Sequence, residues 1–186
     1  MEEKYSIVFM PNFTVIEEIK KIKLQLAEKI DWYSSKNALA HITICEFHST
    51  ETKIEIIKKQ IDRIVSTFSP FEVKLNEYNS YPNGVFFIKP SENSKVELKK
   101  IMKELTTSLV IKKMYKSSDP HLSIARKLNP EKLTIASNLF KQVGLHFLCD
   151  SVSLRKFNSN LEQFEIVSTF PFKNENHLQD IQMSLF

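Results

Sequence analysis

Glycine is almost missing. The chain of 186 residues holds two, Gly84 and Gly144. A P-loop or a dinucleotide fingerprint needs several glycines at fixed offsets, because the backbone itself must approach the phosphates. Neither can be assembled here, so a phosphate would have to be held by side chains or helix ends. Cysteine is as scarce. Cys45 and Cys149 form no CxxC pair, which argues against structural zinc. In strand-like surroundings both read as small core residues. No apolar run approaches the roughly 20 residues of a membrane span. The start, MEEKYSIVF, lacks the basic and apolar stretches of a signal peptide. These absences predict a cytoplasmic protein with no membrane partner. There is no dense carboxylate cluster for a metal, and neither a metal nor a cofactor is expected. Nor is there a large excess of one charge: 26 Lys and Arg against 22 Asp and Glu leave +4. That mild balance suits anionic ligands such as nucleotides or RNA ends without requiring them.

What is present is an ordinary soluble composition, 42% hydrophobic and 26% charged, with length for one globular unit. YSIVFM (5–10) reads as a short strand ended by Pro11. Ile16, Ile19, Lys23, Leu26 and Ile30 then fall at helical spacing. The segment around His41 is strand-like. Ile54, Ile57, Ile61, Ile64 and Phe68 make a second helical stripe, and FEVKLNEY (71–78) alternates as a half-buried strand. The order then restarts. GVFFIKP (84–90) is a strand ended by Pro90, and 94–110 is a helix. HLSIA is a strand, and 129–143 is a helix capped by Asn129 with Pro130 in its first turn. DSVSLRKF (150–157) alternates, and QFEIVSTFPF closes the chain.

Strand, helix, histidine strand, helix, strand thus occurs twice, over about 5–79 and 84–158. Pro11 and Pro90 are 79 residues apart, and His41 and His121 are 80 apart. An internal duplication accounts for both. It predicts an α+β domain over 1–173 with two pseudo-symmetric lobes. Each lobe would be an antiparallel sheet backed by helices, and the lobes would meet at a central cleft. A flexible tail is expected over 174–186.

The two histidine strands carry the chemistry. Alternate residues of a strand share a face. His41 therefore sits with Thr43 in LAHITICEF, and His121 with Ser123 in DPHLSIARK. Two imidazoles across one cleft supply a general base and a general acid near neutral pH. Hydroxyls suit phosphate oxygens. In-line attack at phosphorus needs a base on the attacking oxygen and an acid on the leaving one, from opposite sides. A lone His-x-Thr says little; its return at the same place in a duplicated unit is what favours function.

These motifs, HIT and HLS, resemble the paired HxT/S motifs of the two-histidine (2H) phosphoesterase superfamily, in its 2'-5' RNA ligase and cyclic phosphodiesterase branch. The resemblance spans about residues 5–172 and includes PHLSIAR and the closing FEIVSTFPF. It implies a bilobal α+β fold and metal-independent hydrolysis of 2',3'-cyclic phosphates or 2'-5' linkages in RNA or nucleotides. By it His41 and His121 are the acid and base, in an order left open, and Thr43 and Ser123 hold the phosphate. The competing expectation is a module that binds a nucleotide or an RNA end in the same cleft without turnover.

Further candidates surround this core. Lys112, Lys113, Lys116, Arg126 and Lys127 make the second motif's surroundings basic, fit to steer a phosphate or RNA strand. Arg126 has the opposite parity to His121, which aims it away from the pocket. Arg155 is another candidate phosphate contact. Tyr81 and Tyr115, expected in loops, are candidates for stacking a base. His48, His146 and His177 lack a hydroxyl partner at the repeat spacing and read as surface or structural. The last residues, QMSLF, resemble the motif by which bacterial proteins dock on the DNA sliding clamp. Leu185 and Phe186 would enter an apolar pocket beside Met183, and Gln182 would bond at its rim; folding back on the body is the alternative.

Overall fold

A computed structural model describes residues 2–175. The flexible tail expected from 174 onward therefore lies outside the described residues from 176, as do His177 and the candidate docking residues Gln182, Met183, Leu185 and Phe186. Asn174 and Glu175 do not hang free: their amides donate to Phe68 O and Ser66 O at the end of the second helix.

The chain runs β1 (Glu3–Phe9), α1 (Phe13–Ile30), β2 (Ile42–Ser49), α2 (Glu51–Val65), β3 (Phe71–Tyr81) and β4 (Val85–Pro90). It continues α3 (Glu92–Ser108), β5 (Met114–Lys116), β6 (Leu122–Ala125), α4 (Pro130–Leu139), β7 (Leu145–Cys149), β8 (Ser151–Asn158) and β9 (Gln163–Pro171). Each helix starts on a capping side chain. Asn12, Thr50, Ser91 and Asn129 accept from the amides of Val15, Lys53, Ser94 and Lys132. α4 stops at Leu139, short of the expected 143, because Phe140 takes extended backbone angles. β5 and β7 have no counterpart in the sequence pattern; at three and five residues they carry little periodicity.

All strand pairs are antiparallel, in the order β7-β3-β4-β6-β2-β1-β8-β9, with β5 on β2. The order reads the same from either end once the two copies are overlaid, with β1 matching β4, β2 matching β6 and β3 matching β8. The third strand of each repeat has crossed over. β3 pairs with β4 of the second copy, and β8 pairs with β1 of the first. The two half-sheets are therefore built from both repeats, and they meet at one residue pair, Ile42 with Leu122.

The helices sit in two pairs, α1 with α4 and α2 with α3. α3 covers β2, and α1 covers β6. Ile42, Ile44, Leu122 and Ile124 are fully buried and belong to one continuous core with the helix stripes. Burying such side chains is worth about 1.5–3 kcal/mol each. The opposite face of β2 and β6 is left open as the cleft. Gly84 turns β3 into β4 with φ +84°, and a Cβ there would lie 2.2 Å from Leu128 O. One of the two glycines is thus required by both angle and space. No helix among the described residues is long and apolar enough to cross a membrane.

Candidate active site

The single seam fixes the site. With Ile42 opposite Leu122, antiparallel register sets His41 beside Ser123 and Thr43 beside His121. The imidazoles are then diagonal neighbours, with backbones roughly 7–8 Å apart. All four side chains are half-buried on the cleft face. His41 and Ser123 line one recess of about 490 Å³. Thr43 and His121 line a second, of about 380 Å³.

Each ring is held the same way. His41 Nδ1 lies 2.7 Å from Leu39 O, and His121 Nδ1 lies 2.8 Å from Asp119 O. A carbonyl only accepts, so Nδ1 carries the proton and donates, which leaves Nε2 of the neutral ring as the acceptor. Burial lowers the pKa of His41 well below the usual histidine value, and the Arg155, Arg126 and Lys23 charges push the same way against its bond to Leu39. Burial also lowers the pKa of His121, against the bond to Asp119 O; the Arg126 charge lowers it further and the Asp119 carboxylate opposes that.

The carboxylate behind His121 is itself tied down. Tyr81 Oη donates to Asp119 Oδ2 at 2.5 Å, and Lys95 Nζ lies 2.8 Å from Oδ1. The side-chain bonds from Lys95 and Tyr81 hold the Asp119 carboxyl below its ordinary pKa, although burial alone would raise it. Tyr81 also meets the His121 ring edge-on, and Phe87 packs against it at 4.8 Å between centroids.

Arg126 lines both recesses, contrary to the parity expectation. The reason is a β-bulge. Phe86 pairs with Ala125 but Phe87 pairs with Ser123, so Ile124 is an extra residue. Ile124 and Ala125 both turn inward and are fully buried, which rephases Arg126 onto the face of His121 and Ser123. The first copy does the same. Ile7 pairs with Cys45 and Val8 with Thr43, so Ile44 is extra and Glu46 reaches both recesses. Glu46 follows His41 by five residues as Arg126 follows His121. That equal offset is the signal by which it could have been found.

Arg155 is 4% exposed and lies in the His41 recess. Its Nε donates to Ser6 Oγ at 3.1 Å, and its guanidinium sits 5.0 Å from the centre of the Phe164 ring. Burial lowers its pKa to about 10. Neither Arg126 nor Arg155 makes an ion pair among the described residues, so two cations face the cleft with capacity for an anion. Lys23, a member of the α1 stripe, is 3% exposed. Its Nζ donates to Ser35 O at 3.1 Å and Ala38 O at 2.6 Å, anchoring the loop that leads into His41.

The remaining candidates separate. Tyr115 lines the His121 recess. Like Tyr81 it lies in a strand rather than a loop. Lys127 borders the His41 recess. Lys116 is exposed and lines neither recess, because alternation along β5 puts it on the other face from Tyr115. His48 is exposed, and exposed His146 sits 3.1 Å from Glu72.

The sequence model of the 2'-5' RNA ligase superfamily matches residues 11–161, a span that contains both histidine strands. The chain belongs to this superfamily. Its fold is that of several solved members. Escherichia coli LigT in complex with NADP+ aligns over 93% of this chain and 99% of its own, with TM-score 0.65 and 11% identity. TT0787 of Thermus thermophilus aligns over 93% and 100%, with TM-score 0.66 and 15% identity. Kluyveromyces marxianus Usb1 aligns over 91% and 97%, with TM-score 0.57 and 13% identity. No curated protein matches the chain in sequence. Superfamily membership supports a phosphodiesterase type of function for the protein.

Proposed function

We propose that the protein is a phosphodiesterase that opens 2',3'-cyclic phosphates or cleaves 2'-5' linkages of RNA or nucleotides by paired-histidine acid/base catalysis. The observation that carries this reading is the diagonal pair His41 and His121, each with Nδ1 tied back and Nε2 left as the acceptor of its neutral ring. One imidazole takes a proton from the attacking water. The other, protonated, gives one to the ribose oxygen as its bond to phosphorus breaks, and a phosphomonoester results. Thr43, Ser123, Arg126 and Arg155 hold the anionic oxygens. LigT, of the same fold, has been solved with 3'-AMP, which supports a nucleotide ligand.

The test is a panel of 2',3'-cyclic nucleotides, cyclic-phosphate oligonucleotides and 2'-5'-linked oligonucleotides, with and without EDTA, and with His121→Ala as control. Turnover that survives EDTA and vanishes in the variant is expected. Binding without product from any member would leave a nucleotide-binding module and overturn the proposal.

A further inference from the structure

The cleft does not end at His121. Glu46 and Tyr115 line the His121 recess and also a shallower groove beyond it. His48, Lys112 and Lys113 line that groove and also a wider basin that reaches Lys53 and Ile56 on α2. Shared lining residues thus join three depressions into one path, which leaves the His121 end and passes over β5.

The charge along the path is net positive. Lys53, Lys112 and Lys113 make no ion pair among the described residues. Glu46, the carboxylate at its start, is neutralised by Lys4 at 2.7 Å, and Glu2 stands at the far rim. Flat apolar surface alternates with these charges. Tyr115 is 65% exposed at the mouth, and Ile56 and Val110 are 59% and 81% exposed in the basin. Cationic side chains along a groove with aromatic and apolar faces between them are what a single-stranded polynucleotide uses, phosphates on the lysines and base faces on the rings. Only an unpaired base can stack on Tyr115.

We infer that this groove carries the strand of a single-stranded RNA whose end reacts between His41 and His121, so that the preferred substrate is an oligonucleotide rather than a mononucleotide. The inference rests on the proposed reaction for what happens at the end, but not for the path of the strand.

The test compares the wild-type protein with Lys112→Ala/Lys113→Ala, two exposed positions outside the catalytic set. Fluorescence anisotropy would follow a ten-nucleotide single-stranded RNA ending in a 3'-phosphate, across a salt series. The substitutions should weaken this RNA about tenfold at low salt and cut the slope of log affinity against log salt by about 1.4, at about 0.7 per phosphate contact. Hydrolysis of a 2',3'-cyclic mononucleotide should not change. Equal affinity and slope in both proteins would overturn the groove. So would an affinity loss with no change of slope, which would mark an apolar partner instead. A wild type that hydrolyses no cyclic phosphate but shows the slope difference would overturn the proposed reaction and leave the groove standing.

Discussion

Ile42 of β2 pairs with Leu122 of β6, and the two half-sheets join through that one pair. Everything in the cleft follows from it. A shift of one residue at this seam would turn one strand's histidine and hydroxyl toward the core while the other pair stayed in the cleft. The register also crosses the motifs, so each histidine stands opposite the other copy's hydroxyl residue across the seam.

The first prediction uses that crossing. His41→Ala and His121→Ala should each lower kcat by roughly 10²–10⁴-fold. Both residues face the cleft and neither belongs to the apolar core, so the thermal midpoint should hold. Thr43→Val and Ser123→Ala should act mainly on KM. In double-mutant cycles scored on kcat/KM, His41 should couple more strongly to Ser123 than to Thr43. Equal coupling to both hydroxyls would mean that the seam does not organise the phosphate.

Much of this is legible in the sequence, and the failures have physical causes. Helix stripes are read from spacing: Ile19, Lys23, Leu26 and Ile30 of α1 and Ile54, Ile57 and Ile61 of α2 are buried as expected, while Val15 and Val65 are buried in place of their neighbours Ile16 and Ile64. The His-x-hydroxyl pairs are read from alternation and their repeat. Alternation fails at a bulge, which is why parity aims Arg126 the wrong way and passes over Glu46. The trace of the bulge is two consecutive small or apolar residues before a charge, Ile44-Cys45-Glu46 and Ile124-Ala125-Arg126. The strand exchange leaves no such trace. Order along the chain does not say which strand lies beside which, so repeats and half-sheets come apart only in the structure. Lys23 reads as one more member of an apolar stripe. Its role depends on carbonyls 12 and 15 residues away.

Arg155 offers a trade between stability and affinity. Its charge is buried, without an ion pair among the described residues, and the desolvation cost that its lowered pKa reflects is only partly offset by the Glu46 charge. Replacing a buried charge by an apolar side chain of similar length is often neutral or stabilising. Arg155→Met should therefore keep or raise the urea midpoint, with Ser6→Ala added to remove the hydroxyl left without its donor. The same change should raise KM about 30-fold, the loss of a charged hydrogen bond worth roughly 2 kcal/mol. A large fall in stability with unchanged KM would make Arg155 structural.

Activity should be best on the acid side of pH 6.5. Both histidines have pKa values lowered from 6.5, chiefly by burial. The proposed reaction needs one neutral and one protonated ring, so the bell for kcat/KM is bounded by two values that both lie below 6.5 in the free enzyme. The profile is the same whichever ring is the base. Stability should run the opposite way. The unfolded chain binds protons at these two positions at pH values where the folded chain does not, so stability falls as pH drops below 6.5. His41→Gln should weaken that fall. An optimum near pH 8 for hydrolysis of a cyclic nucleotide would contradict this arrangement.

Lys23 makes the clearest linkage experiment. Burial holds its ammonium near pKa 8, with the Arg126 charge adding to the shift, against 10.5 for an ordinary lysine. Between those values the unfolded chain carries a proton that the folded chain has lost, so stability from this group rises with pH across that window. The slope is at most about 1.4 kcal/mol per pH unit for one proton. Below pH 8 the folded protein bears the full cost, offset by the bonds to Ser35 O and Ala38 O. Lys23→Met should remove the rise, so the gap in urea stability between variant and wild type should move in favour of the wild type from pH 8 to 10. The same substitution leaves two carbonyls of the His41 loop without their donor and should lower kcat at pH 6 more than it raises KM. Restoring a cation with Lys23→Arg should recover part of kcat. If Lys23→Met shows the wild-type pH dependence of stability, the lysine titrates as an ordinary surface group and does not anchor the loop.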